Sequence, residues 1–434
     1  MPQFTEDRRR AALNNEVHAR PFASVTAPMR ASHLAVLWGE AGAAADLAHL
    51  EALCRRHGVP PPLPGATHFA AGFGAFALKW ERHTEFSTYI FMLQGAVTAG
   101  GGAFDEAAIT RVPQDWMAAM PGSVLVATHL VLQSPESPMP DADALARVLV
   151  ADTTAGSGIS GGVAHAWTDF QLHADGFGRI LVRDCAADGR RMGPRQAGRM
   201  MQRLLEIETY RMMALLALPV AREHAPRIDA IGEELARLTQ GLSTIAGLDD
   251  ERRLLDRLVS LAAEAERIAA ATTYRFGAGR AYHQLVLRRI EELREQRIEG
   301  LQTIGEFMDR RLAPAMRTCV SVGERLETIS VRLARATALL RARVDVALEA
   351  QNRDLLASMD RRARLQLRLQ QTVEGLSVAA ICYYVVGLVA YAAKGLRTAG
   401  LPVEPDLAAA LAVAPVAAVV WLGLRRLRRR MARD

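Results

Sequence analysis

The stretch TVEGLSVAAICYYVVGLVAYAAKG, residues 372–395, decides how the whole chain is to be read. Within it, residues 376–393 carry no charged side chain. At about 1.5 Å rise per residue that run reaches roughly 27 Å, close to the ~30 Å hydrocarbon core of a bilayer. A second uncharged run over residues 407–424 is built mainly of Ala, Val and Leu. It is only marginally hydrophobic and is expected to insert as the return half of a hairpin. The pair predicts a transmembrane hairpin over 374–424, with spans 376–393 and 407–424 joined by a short loop.

Working outward, the flanks give an orientation. Arg361, Arg362, Arg364 and Arg368 precede the first span. The ten residues after the second, RRLRRRMARD, contain six Arg and one Asp. The loop between holds Lys394 and Arg397 against Glu404 and Asp406. Arginine excess on the termini places both in the cytoplasm, with residues 425–434 as a basic tail. The expected location is the bacterial inner membrane. That tail also accounts for most of the net charge of +6, and the remainder of the chain is nearly neutral. A nucleic-acid partner is therefore not expected, since it would need a basic face on a folded domain. The N-terminus has no apolar h-region, so no signal peptide is expected. Four widely spaced cysteines without a CxxC pair fit a reducing compartment.

The first span has two sides. Counting by threes and fours, Ser377, Ala380, Tyr384, Gly387, Tyr391 and Lys394 share one face, with Leu376, Ile381, Val385, Leu388 and Val389 opposite. Tyr384 lies near the midpoint, too deep for an interfacial aromatic belt, and a phenol in hydrocarbon needs a hydrogen-bond partner. Two arrangements meet that need. The stripe packs on the small residues of the second span, or several first spans surround an axis and the stripe lines a polar pore.

Upstream, residues 191–314 read as a helical bundle and 315–373 as a long stalk helix, with breaks expected at Pro219, Pro226 and Pro314. Val322, Leu326, Ile329, Leu333, Ala336 and Leu340 recur at steps of four and three, a coiled-coil seam. The seam calls for a partner, either a second copy of the chain or helices of the same chain. Residues 1–190 alternate β-rich segments such as EFSTYIFMLQ and FGRILVRDC with helical patterns at 44–57, 113–120 and 141–147. ALARVLVADT, residues 144–153, also reads as β-rich, and Asp175-Gly176 reads as a hairpin turn. The fold class is a cytosolic α+β domain on a mostly antiparallel sheet, then the stalk, then the hairpin.

No catalytic motif is present and enzyme activity is not expected. The eleven histidines form no HExxH, no GxSxG elbow occurs, and GSGISGG at 156–162 lacks the Lys-Ser/Thr of a phosphate-binding loop. No cofactor or metal site is expected. LNNEVHARPF, residues 13–22, gathers Asn14, Asn15, Glu16, His18 and Arg20 just before Pro21. The cluster fits a small-molecule site or a polar clamp for an N-terminal helix.

LNNEVHARPF, EIETYRMMALLALPVA at 206–221, and residues 351–391 together resemble an uncharacterised bacterial family of membrane-anchored proteins. The resemblance covers essentially the whole chain. It implies the hairpin anchor and carries no activity or site residues. The layout of head, long helix, first span, short outer loop and basic-ended second span is also similar to that of CorA-type magnesium channels. Their Gly-Met-Asn motif is absent, and AYAAKGL stands in its place. The combined expectation is a homo-oligomer, assembled through stalk and first span, that conducts ions or serves as a membrane scaffold or sensor.

Overall fold

The computed structural model describes residues 7–10, 13–14, 22–95, 102–185, 191–241 and 247–431. The chain divides into two compact units, Met1–Ser243 with Asp256–Ala336, and Thr244–Leu255 with Thr337–Asp434.

The first unit holds the sheet. Its strands are β1 (Met29–Leu37), β2 (His68–Gly72), β3 (Ala77–Arg82), β4 (Phe86–Gln94), β5 (Ser123–Gln133), β6 (Ala155–Ile159), β7 (Ala164–Thr168), β8 (Gly178–Asp184) and the two-residue β9 (Gln296–Arg297). They lie in the order β2-β3-β4-β1-β5-β8-β7-β6-β9. Only β5 and β8 run parallel, so the sheet is mostly antiparallel. The helices are α1 (Gly42–Arg56), α2 (Gln114–Ala118), α3 (Ala142–Ala146), α4 (Pro194–Leu215), α5 (Ala217–Gly241), α6 (Leu248–Leu293), α7 (Ile304–Thr398) and α8 (Pro405–Met431).

Side-chain alternation sends each strand's residues to opposite faces, and both faces are covered. Leu34, Leu78, Trp80, Tyr89 and Phe91 pack with Leu50 and Leu53 of α1 and Trp116 of α2. The buried Asp46 of α1 fixes that layer by accepting from Trp80 Nε1 (3.0 Å), Ser87 Oγ (2.6 Å) and Tyr89 OH (2.7 Å). On the other face Met29, Phe86, Ile90, Leu130 and Val182 share a core with Met200, Met201 and Leu204 of α4. Val286 of α6 and Ile304, Met308 and Leu312 of α7 join the same core. The head's core thus continues well past residue 190, because the sheet's second face needs those helices as its cover.

Three readings from the sequence change. Residues 144–153 form no strand: α3 occupies the start and a 3-10 turn, Ala151–Thr153, the end. The glycine-rich 156–162 is β6 and a tight turn, with Gly161 and Gly162 at φ +75° and +86°. Gly156 is required there, since a Cβ would sit 2.6 Å from Trp167 Cδ1 and 2.7 Å from Leu301 Cδ1. Finally, Pro226 and Pro314 interrupt nothing, and α7 runs 95 residues from Ile304. Pro314 and Arg310 are both exposed, so the carbonyl that loses its donor faces water, while Leu312 and Met316 bury the opposite side.

A reciprocal capping box starts α7. Glu306 N–H donates to Thr303 Oγ1 (3.1 Å) and Thr303 N–H to Glu306 Oε2 (3.0 Å). The Glu295 carboxylate accepts from the Ile304 and Gly305 amides (3.0 and 2.9 Å) and from Ser157 Oγ. Further along α7 the seam from Val322 to Leu340 is buried within the chain. Ile329 packs on Gly232 of α5 and Gly323 on Phe276 of α6. Arg227–Glu264, Arg257–Glu234 and Arg325–Asp229 pairs lace the three helices. Helices of the same chain therefore satisfy the seam.

The second unit carries the hairpin. Between residues 349 and 373 every side chain is exposed except the half-buried Ser358. Two helices here are long and apolar enough to cross a membrane, and almost none of either apolar window is buried in the chain.

Candidate functional site

The polar residues of the head gather on the sheet face beneath α4. Lys79 and Glu81 of β3 lie in register with Ile90 and Thr88 of β4, and Ile90 in turn with His33 of β1. All share one face by alternation, and Lys79, Glu81, Thr88 and His33 are buried. Lys79 Nζ lies 3.0 Å from Glu81 Oε1 and donates to Gln202 Oε1 at 2.8 Å. Gln202 Nε2 donates onward to Glu206 Oε1 at 2.7 Å, and Glu206 also receives Arg289 of α6. Arg289 and Arg203 both pair with Glu292, at 3.1 and 3.0 Å. One chain of charged hydrogen bonds therefore runs from β3 through α4 to α6.

Lys79 is one of only two lysines in a chain with 53 basic residues. A compact ammonium fits between one carboxylate and one amide oxygen, where a planar guanidinium fork would not. Removing either charge would strand the other in a buried site, and the bond from Lys79 to Gln202 ties α4 to the sheet.

His33 extends the cluster. Thr209 Oγ1 donates to Leu205 O at 3.0 Å, so it accepts from His33 Nε2–H at 2.8 Å. That assigns the neutral Nε2–H tautomer. Burial, helped by the neighbouring His83, pushes the imidazole down to about 3. His33, Glu81, His83, Thr88, Gln202, Glu206, Thr209 and Tyr210 enclose a chamber of about 20 Å³. That is space for one small polar molecule, about the size of a water. Four of the eight, Glu206, Thr209, Tyr210 and Gln202, lie in or beside the EIETYR segment of α4.

A Ser-His-Asp grouping occurs on the opposite face. Ser32 Oγ lies 2.9 Å from His129 Nδ1, and His129 Nε2 lies 3.8 Å from Asp175 Oδ2. Ser32 is wholly buried and accepts the Ile109 amide (3.1 Å), so its hydroxyl donates to His129. A nucleophile must be reachable and its base held by a close carboxylate. Neither holds here, and the grouping ties the segment around Ile109 to β1 and β5. Burial lowers His129 to about 4, against the opposing pull of Asp175.

Among the described residues no cluster of three His, Cys, Asp or Glu has metal-binding geometry. In the N-terminal cluster Asn14 is described, whereas Asn15, Glu16, His18, Arg20 and Pro21 lie outside the described residues.

In the hairpin the stripe is exposed in the single chain. Tyr384 and Tyr391 are 72% and 75% exposed, and Ser377 and Lys394 are exposed too. The half-buried positions of the first span are Val378, Cys382, Val385, Val386, Gly387, Val389 and Ala390, leading to the buried Ala393. On α8 the half-buried positions are Ala408, Ala409, Ala412, Val416 and Val420. The Tyr384 and Tyr391 side chains are therefore left uncovered by the second span, while Gly387 between them is half-buried. Lys394 Nζ lies 5.9 Å from the centre of the Tyr391 ring, and Arg425 stacks over Trp421 at 5.0 Å. Arg397, Glu404 and Asp406 of the connecting segment are exposed.

Sequence reading missed the buried network. The signal available was the lone head lysine, Lys79, alternating with Glu81 between the apolar Leu78 and the aromatic Trp80.

No curated protein and no solved structure matches the chain. A family model described as a protein of unknown function (DUF3422) matches residues 5–431, nearly the full length, and the chain belongs to that family.

Proposed function

We propose that the protein is an inner-membrane scaffold that assembles as a homo-oligomer along the tyrosine face of its first span. Its α+β head then lies on the cytoplasmic side, and no catalytic role is assigned to it. One observation carries the reading: three phenols of the uncharged run, Tyr383, Tyr384 and Tyr391, are exposed in the single chain, and the last two share one helix face. Hydrocarbon offers a phenol no partner, and the same face of a second copy does. The helix just before the span supports the same assembly. Leu355, Met359, Leu369 and Val373 are all exposed, at spacings that suit a helix partner. The buried seam at 322–340 is already filled and does not contribute.

Ion conduction is the second reading. Its support is that the exposed Ser377, Tyr384 and Tyr391 share one helix face with Gly387, which four or more copies would place around an axis in a CorA-like layout. Lys394 at the outer end opposes cation entry, which favours the scaffold.

Native mass spectrometry from lipid nanodiscs tests both. A defined oligomer that dissociates in the Tyr384→Leu/Tyr391→Leu double variant is the expected result, with each phenol contributing about 0.5–1.5 kcal/mol. A wild-type monomer overturns the proposal. Four or more subunits, followed by ion flux in vesicles that Tyr384→Leu alters, would move the assignment from scaffold to channel.

A further inference from the structure

The head contains a second concavity, unconnected with the polar chamber. It is a cleft of about 460 Å³ with three walls. Met139, Leu145 and Ala146 form one, from α3 and the segment before it. His165 and Trp167 of β7 form the floor. Ile298 and Leu301, in the connection between β9 and α7, close the third. The volume falls in the range of about 300–1,000 Å³ typical of small-molecule sites, and the lining is predominantly apolar, as such sites are.

Its polar groups are few and their character is clear. Trp38, Trp80 and Trp116 of the head each donate their indole N–H to a protein acceptor. Trp167 is 2% exposed as a residue and lines the cleft; its Nε1–H donates to no described residue, and the nitrogen is not fully buried but keeps a trace of accessible surface. A buried tryptophan usually finds a partner for that donor. His165 lies 5.7 Å from the Trp167 ring in an edge-on arrangement and also lines the cleft. Burial, with a smaller push from Arg183, lowers its pKa and leaves the imidazole neutral near pH 7. The lining has no lysine or arginine, and its one charged group is the exposed Glu299 at the rim. A ligand anion would meet a carboxylate and no cation to compensate for its desolvation.

We propose that this cleft binds an uncharged, largely apolar small molecule bearing a hydrogen-bond acceptor, which takes the Trp167 indole N–H while its body packs on Leu145, Ile298 and Leu301. The site is a property of the head alone and stands whatever the number of subunits in the membrane. Its third wall directly precedes the capping box that begins α7. Gly156 belongs to the same device, since the absence of a Cβ there lets Trp167 and Leu301 approach β6 and form the floor and wall.

Fluorine NMR of the full-length protein in nanodiscs, labelled with 5-fluorotryptophan, reads the site directly. The Trp167 resonance is assigned as the one lost in Trp167→Phe. The probes are 2-acetonaphthone, naphthalene and 2-naphthoate. The ketone should shift the Trp167 resonance saturably and bind roughly 3- to 10-fold more tightly than naphthalene, as expected for one net hydrogen bond. The naphthoate should bind more weakly than the ketone, and Glu299→Gln should narrow that gap. Ala146→Phe, at an exposed lip of the cleft, should abolish the shift while leaving the other tryptophan resonances in place. Absence of a saturable shift with the ketone in wild-type protein overturns the proposal. A shift that persists unchanged in a folded Ala146→Phe variant overturns it as well, and equal affinity for ketone and naphthalene removes the role assigned to the indole.

Discussion

His33 and His129 show what a buried side chain commits the head to. Both are held neutral by burial, at about 3 and about 4, and both sit at joints between the sheet and its covering layers. In the unfolded chain each titrates near 6.5. Between pH 6.5 and those lowered values the unfolded state binds protons that the folded state refuses. Stability is therefore complete above about pH 6.5 and falls as the solution is acidified. His49, His165 and His283 are lowered as well, chiefly by burial, and act in the same direction. From pH 7 to 5 the head should lose about 2–4 kcal/mol, at roughly 1.4 kcal/mol per unit for each histidine. Hydrogen exchange of the β1 and α4 amides in the full-length protein measures it. Protection that is the same at both pH values would contradict the assignment, and His33→Gln should flatten the dependence.

At the scale of elements, the start of α7 depends on residues far apart in sequence. Thr303 and Glu306 form a capping box that is plain in the sequence TIGE, yet the helix it opens was read as beginning only after Pro314. Proline is a strong local signal, and only tertiary burial of Leu312 and Met316 reveals that it is overridden. The other half of the cap could not be read at all, since Ser157 and Glu295 lie 138 residues apart. The same holds for β6, near one edge of the sheet, whose glycines and small residues disguise a strand as a loop. Strands β1, β3, β4, β5 and β8, by contrast, announce themselves by alternation and aromatic content, and the apolar spans by length. Lys79 was visible as a rare lysine, while its buried network depends on α4 and α6 arriving from elsewhere. Glu295→Ala removes the acceptor for two α7 amides and for Ser157, so local stability should drop by about 1–3 kcal/mol. Exchange of the amides at 303–308 should accelerate accordingly, with β3 and β4 unchanged. Uniform protection across these segments would show that the capping box alone suffices.

For the molecule as a whole, the proposed topology rests on the asymmetry of charge about the hairpin. Four arginines precede the first span within 16 residues of Leu376, and a six-arginine tail follows the second. The loop between has two basic residues balanced by two acidic ones, so translocating it costs far less than translocating either flank. The side chains at the two ends behave accordingly. Arg425 stacks on Trp421 at the arginine-rich end, a pairing suited to a headgroup region, and Lys394 leans over Tyr391 at the other. The second span is rich in alanine, and the proposed topology has it cross together with the first. In intact cells a membrane-impermeant maleimide should therefore modify Ala399→Cys, in the exposed connecting loop. It should reach Leu172→Cys, on the exposed surface of the head, only after the membrane is permeabilised. Cys54 and Cys319 are buried and contribute little background. Labelling of the head from outside would invert the topology, and labelling of neither site before permeabilisation would mean that the two apolar helices lie on the inner surface without crossing it.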